Sequence, residues 1–312
     1  MISEFAIISE DAVIGKNVRI HPHAIINAGV CLHDDVEIFS GAIIGQSRIH
    51  KKVPQELSFS ENRVVIGPNT VIGPYSIVYA NVKIGADTII DGNCEIGYPT
   101  PLADGHPLII GQGTLIRSHS VFYAGSCFGT RLVTGHRATV REKTIAGENL
   151  QIGTLCDIQG DCEIGDYVRF HSNVHVGKKS RIGNFVWLFP YVVLTNDPTP
   201  PSETLMGAVI EDYAVVATMS VILPGVTVGS HSLVGAHALV TKNVPRGMIV
   251  GGVPARVFGE ASSMKLKDGS GQSAYPWTGH FHRGYPENIT KEWNKMSYPE
   301  DFENSEGGYN GP

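Results

Sequence analysis

The chain has no apolar run long enough to cross a membrane as a helix. Its opening, MISEFAIISED, offers neither a basic start nor an apolar core, so no secretory leader is expected and a cytoplasmic location is. Positive charge is scarce: 24 Lys and Arg against 30 Asp and Glu give a formal net charge of −6, with the two signs interspersed. Without a basic patch to hold phosphate backbones, nucleic acid is not an expected partner. Paired cysteines are absent too. The five present (Cys31, Cys94, Cys127, Cys156, Cys162) are odd in number and never spaced C-x-x-C. They read as small thiols in a reducing compartment, not as a disulfide frame or a zinc site.

Glycine, in contrast, is plentiful, 36 in 312 residues, and it follows a beat. An aliphatic residue recurs every sixth position through Ile14–Ile44, Ile66–Ile96, Ile110–Leu194 and Ile210–Val240. Of the 33 hexads so defined, 31 carry a large apolar residue; Thr134 and Ala146 are the exceptions. A period of six fits neither a helix nor a simple strand. It fits a triangular coil with one hexad per side, an inward aliphatic residue on each side, and corners turned by Gly, Asn or Asp. The expectation is an all-β parallel β-helix of about 11 coils, roughly 50 Å long at the spacing of paired strands. Such a solenoid exposes flat faces. Val186, Trp187 and Tyr191 are expected to lie on one of them, against other subunits.

The beat breaks three times, at residues 46–63, 98–109 and 195–208. Insertions in a solenoid leave from its corners. The third, TNDPTPPSETLMGA, is proline-rich and therefore stiff, an arm suited to roof a cleft on a neighbouring subunit. Beyond Gly259 the hexads end. SSMKLKDGSGQS reads as a linker and the remainder as an irregular tail, so residues 1–259 and 260–312 are expected as separate regions. Labelling the sides in rotation stacks the corners after Ile116, Thr134, Ile152, Phe170 and Leu188. That edge carries His119, Arg137, Leu155, Asn173 and Tyr191, with His136, His171 and His175 beside it.

The stretch Arg169–Gly259 resembles the left-handed β-helix acyltransferases that use acetyl-coenzyme A. The motif GGVPAR at Gly251–Arg256, after VGAHALVTKNVP, carries that likeness most strongly. The segments FHSNVHVG and FPYVVLTNDPTPPS look most like the enzymes of this class that acetylate the amino group of nucleotide-linked sugars, in the synthesis of cell-surface polysaccharide precursors. The resemblance implies the left-handed turn, a homotrimer with sites between subunits, and acetyl-CoA as co-substrate. It implies Asn173 as the catalytic position, with His171 two residues away; His136, Arg137, His175, Asn196 and Asp197 then fall to the sugar substrate. In galactoside-acetylating relatives a histidine lies in the loop where Asn196 and Asp197 stand here, which weighs against the alternative of O-acetylation. A sugar amine with a pKa of about 8 is partly free base at neutral pH and needs positioning more than a strong base. For coenzyme A, the small residues Ala217, Gly235 and Ala236 leave room for the pantetheine arm. Lys242, Arg246 and Arg256 offer charge to its phosphates. A further alternative, a zinc protein like the gamma-class carbonic anhydrases, would use His136, His171 and His175. The interval between its paired ligands is one residue short here and that class does not need GGVPAR, so no metal is expected.

Overall fold

A computed structural model describes residues 1–47 and 63–295. Most of the first break in the beat therefore lies outside the described residues. The chain forms two compact units, Met1–Gly259 and the part from Glu260 onward.

The first unit is built mainly of two- to four-residue strands that pair in parallel with strands one coil away; with the terminal strand Arg256–Glu260, which pairs with Met248–Gly251, they give three sheets of 12, 11 and 13 strands. Face one runs from Ile7–Ile8 to Leu239–Val240, face two from Val13–Ile14 to Thr227–Val228, and face three from Arg19–Ile20 through Met248–Gly251. The left-handed parallel β-helix is the fold. It holds about twelve coils, one more than the hexad count, because the pattern continues past both ends of the aliphatic run. Ile2 bridges Ile20 and Ile8 pairs with Ile26; at the other end Val244 bridges Val228 after a step of only four residues, and Val250 pairs with Val234.

Two residues per hexad point inward. The aliphatic one forms the core, with Ile44, Ile72, Ile96 and Leu194 fully buried. The residue two positions before it fills the inside of the corner: Ser76, Thr88, Ser120 and Thr144 are all buried there, as are Leu132 and Leu150. The hydroxyls donate to corner carbonyls, as Ser76 Oγ does to Asp91 O at 2.8 Å, so no polar group is stranded. Cys94, Cys156 and Cys162 occupy the same position, and burial pushes each thiol up to about 11. Val186 does as well, which corrects its expected exposure: it is buried, whereas Trp187 is half-buried and Tyr191 exposed.

The two irregular hexads have local causes. Thr134 Oγ1 accepts the Arg117 backbone N–H at 2.9 Å, so its polarity is used inside the corner. Ala146 pairs in register with Phe128, whose ring meets Phe122 edge-on at 5.2 Å. Two phenylalanines in one coil take up the space that an isoleucine would fill in the next.

The three edges differ. The edge after face one holds all three insertions, and we call it the loop edge; the breaks follow Ile44, Ile96 and Leu194, each on face one. The edge after face two carries a ladder of stacked rings: Tyr167 on Phe185 at 5.2 Å, Phe185 on Tyr213 at 4.9 Å, and Tyr213 on His231 at 4.8 Å. Beside it Asp166, Asn184 and Asp212 each accept a backbone N–H from the coil before, at 2.7–2.8 Å. The edge after face three is the one that carries His119, Asn173 and Tyr191, and we call it the histidine edge.

The second unit has a small aromatic core, in which Trp293 meets Tyr285 at 5.0 Å and Trp277 at 5.4 Å. Trp293 is brought in by the helix Glu287–Lys295.

Two outcomes test this packing. Restoring the repeat with Ala146→Ile should destabilise the prism by about 1–3 kcal/mol through overpacking. Adding Phe128→Ile should recover most of that in urea unfolding; a stabilising single variant would refute the compensation. His231 is half-buried in the ring ladder with its Nδ1 shut from solvent and unpartnered, and this burial holds its pKa below the ordinary 6.5. The unfolded chain therefore binds a proton that the folded one refuses, and stability falls as pH drops through and below 6.5. His231→Phe keeps the stacking and removes the titration. Its melting temperature should fall less between pH 7.5 and pH 5 than that of the parent.

Candidate active site

Asn173 turns the histidine edge with φ 61°, a left-handed conformation that asparagine tolerates better than most residues. Its backbone N–H donates to Thr154 O at 2.9 Å. His171 lies on the face-three side of the same corner, its ring stacked on Phe189 at 4.6 Å and 5.8 Å from Trp187. Burial against these rings holds the His171 pKa below its ordinary value, so it stays neutral to lower pH than a free imidazole. His175 follows on face one, where its Nδ1–H donates to Asp157 Oδ2 at 3.1 Å. Gln159 Nε2 donates to the same carboxylate. The His175 bond is the main reason that the Asp157 carboxyl sits below its usual range, ahead of the opposing effect of burial. Nε2 of His175 is thus the nitrogen left for an incoming group.

One coil earlier and in register, Asp157 orients His175 as the second member of an acid–histidine pair. Sequence reasoning passed it over. The signal was present: 157 and 175 differ by 18 residues, one full turn of three hexads. His136, two coils before Asn173, shares a 2.9 Å hydrogen bond between its Nδ1 and Ser118 Oγ, and Arg137 turns the corner at φ 58°. His136, His171 and His175 thus hold different neighbours and do not converge within the chain. No group of three metal-binding side chains occurs among the described residues.

Toward the C-terminal end the same edge becomes small. The row that carries His171 and Phe189 continues as Ala217 and Gly235, with Ala236 exposed next to it. Gly235 is less crowded than most corner glycines, although an added Cβ would still press on Val250 O at 3.3 Å. The expected basic grip, in contrast, is dispersed. Lys242 sits on the loop edge, Arg246 follows Val244 on the ring edge, and Arg256 lies beyond Gly251 with its Nη1 on its own neighbour's carbonyl, Ala255 O. The short last corner is the reason, since it carries the chain past two edges within six residues.

The loop Thr195–Ala208 stands on the loop edge, not beside Asn173 of its own chain. It closes on itself, with Met206 N–H donating to Asn196 O at 2.8 Å. Asp197 accepts from Thr199 N, Ser202 N and Ser202 Oγ at 2.7–3.0 Å, which lowers its pKa. Its carboxylate organises the loop, so the expected contact with a substrate amine would compete with three internal bonds. Gly207 seats the loop on the previous coil, where a Cβ would lie 2.0 Å from Lys179 O. A broad concavity of about 720 Å³ lies elsewhere, on face two, between Ile145, Glu163, Arg181 and Val209; it includes none of the candidate residues.

Residues 63–98 match the family model described as bacterial transferase hexapeptide (six repeats). The chain is built of hexapeptide repeats. This hexapeptide prism is 27% identical over 225 residues to bifunctional protein GlmU of Heliobacterium modesticaldum, across 67% of this chain and 41% of that one. It is 38% identical over 93 residues to 2,3,4,5-tetrahydropyridine-2,6-dicarboxylate N-acetyltransferase of Staphylococcus aureus, across 30% of this chain and 33% of that one. The hexapeptide chain thus spans less than half the length of either curated relative. Among solved structures, UDP-N-acetylglucosamine acyltransferase from Campylobacter jejuni aligns over 95% of this chain and 82% of its own, at 15% identity and a TM-score of 0.40. No helix among the described residues is long and apolar enough to cross a membrane.

Proposed function

We propose that the chain is an acyltransferase that moves an acetyl group from acetyl-CoA to the amino group of a nucleotide-linked sugar. The observation that carries this reading is the His175–Asp157 pair. It stands on one edge between corner residues with hydrogen-bonding side chains and, toward the C-terminal end, a run of small residues open to an extended chain. The likeness to a relative named as an N-acetyltransferase supports an amine acceptor.

The amine nitrogen attacks the thioester carbonyl; the C–N bond forms and the C–S bond breaks. His175 Nε2 takes the amine proton and hands it to the departing thiolate. Asp157 fixes the tautomer and steadies the imidazolium while it exists. Asn173, on the same coil, orients the amine through its side-chain oxygen. His171, kept neutral by its ring contacts, shapes the acceptor side of the corner. The pantetheine arm lies along Ala217, Gly235 and Ala236. With the basic residues dispersed over the last coil, Lys242, Arg246 and Arg256 serve the coenzyme A phosphates one at a time.

The assembly that completes the site is a homotrimer. Leu155, Tyr191 and Met219 are 50%, 51% and 45% exposed on the histidine edge around Asn173. One such residue is ordinary, but this row beside a reacting corner calls for cover. In a threefold assembly the loop Thr195–Ala208 of one copy reaches the histidine edge of the next and covers it.

Steady-state acetyl transfer to a panel of nucleotide-linked amino sugars tests the reaction; the absence of transfer to every amine, with transfer to a sugar hydroxyl, would reassign it. Asp157→Asn and His175→Ala should each lower kcat by roughly a hundredfold, within the usual range for a positioned proton acceptor. Asn173→Gly keeps the left-handed corner. It should leave the melting temperature within about 2 °C and still lower kcat/KM, which separates the amide's role from its turn. Tyr191→Glu should yield monomers in sedimentation and lose activity with them. A fully active monomer would refute the shared site.

A further inference from the structure

Between Ile110 and Leu194 the chain carries nine Lys and Arg residues, all described. Seven hold a partner. Arg131, Arg141, Lys143, Lys178 and Arg181 pair with carboxylates. Arg169 donates to Asn149, and Lys179 to Leu205 O. The two without one are Arg117 and Arg137, and they occupy adjacent coils of the same edge. Arg137 N–H donates to Ser118 O at 3.0 Å, so the two guanidinium-bearing corners touch. Both side chains are exposed, as are His119 and His136 between them. Ser118 Oγ holds His136 Nδ1, which leaves the imidazole Nε2 as its free nitrogen. Asp91 stands one coil before Arg117 in the same row, and no ion pair joins the two.

We infer that Arg117, His119, His136 and Arg137 form the subsite for the diphosphate of the acceptor nucleotide. The inference rests on the reading of the acceptor as a nucleotide-linked sugar. The chemistry fits a diphosphate: two guanidiniums present planar forks of donors to non-bridging oxygens, and two imidazoles add N–H donors. The placement fits it as well. Arg137 lies two coils from Asn173 and Arg117 three, about 10 and 14 Å along the edge at the spacing of paired strands. A sugar at Asn173 and His175 would place its attached diphosphate at that reach. The open row of Ala217 and Gly235 runs the opposite way, three coils toward the C-terminal end, so acceptor and donor approach the reacting corner from opposite sides. The same charges would suit the pyrophosphate of coenzyme A, which is why the direction of each ligand has to be tested.

Calorimetry on the full chain answers this with UDP, dTDP, inorganic pyrophosphate and coenzyme A as separate probes. The Arg117→Ala/Arg137→Ala variant should bind UDP or dTDP at least about tenfold more weakly, equivalent to about 1.4 kcal/mol, and coenzyme A with unchanged affinity. Arg137→Lys should recover part of the loss, because a point charge replaces a fork. Weakened coenzyme A binding with intact nucleotide binding would overturn the inference and give the cluster to the donor. Unchanged affinity for every probe, or a parent protein that binds neither nucleotide nor pyrophosphate, would also overturn it. Because binding is read without turnover, pyrophosphate bound through these arginines in a chain that acetylates no amino sugar would refute the reaction and leave the anion site standing.

Discussion

Backbone presses on backbone where successive coils turn from face two to face three, and the rest of the prism is arranged around that contact. At Gly111 a Cβ would stand 2.3 Å from Gly129 O, and Gly129 meets Gly147 in the same manner. No side chain fits at these two positions, and the same close approach recurs on the histidine edge, where a Cβ at Gly153 would stand 2.4 Å from His171 C. The outer residues of the ring edge are left to stack, and they do so as rings and as amide-accepting Asp and Asn. The consequence is a division of labour. The ring edge is lined with glycine in most coils, while the loop and histidine edges also bear long side chains or extra chain.

On the histidine edge, charged and aromatic groups occupy the first corner position at Arg117, His171 and Phe189. There the rise acts on chemistry. Asp157 and His175 meet because one turn separates them, and the same 18-residue step joins Ser118 to His136. A hydrogen bond between neighbouring rungs needs no loop to shape it. It needs two suitable residues a turn apart, on a scaffold whose geometry is already fixed.

Much of this was legible in the sequence, since the inward residue repeats every six positions and betrays the fold. The hexad runs between breaks are six and fifteen long, both multiples of three, so all three insertions had to share an edge. Val186 misled because the second inward position admits residues from serine to leucine and so shows no clear beat of its own. Lys242 and Arg246 were grouped by closeness in sequence, but a corner shortened by two residues sends them to different edges. Asp197 looked like a free carboxylate, and only the fold of its loop shows three donors already upon it. Asp157 went unseen because a contact between rungs joins residues far apart in the chain.

A prism whose rungs are all alike can lengthen or shorten only by whole turns. Deleting or duplicating 18 residues between Arg137 and Asn173 would preserve the parallel pairing of the coils and shift one end of the acceptor track against the other by about 4.8 Å. Substrate length in such a scaffold is therefore graduated like the marks on a ruler. A point substitution changes what is held at a mark, and a gained or lost turn changes which mark is read.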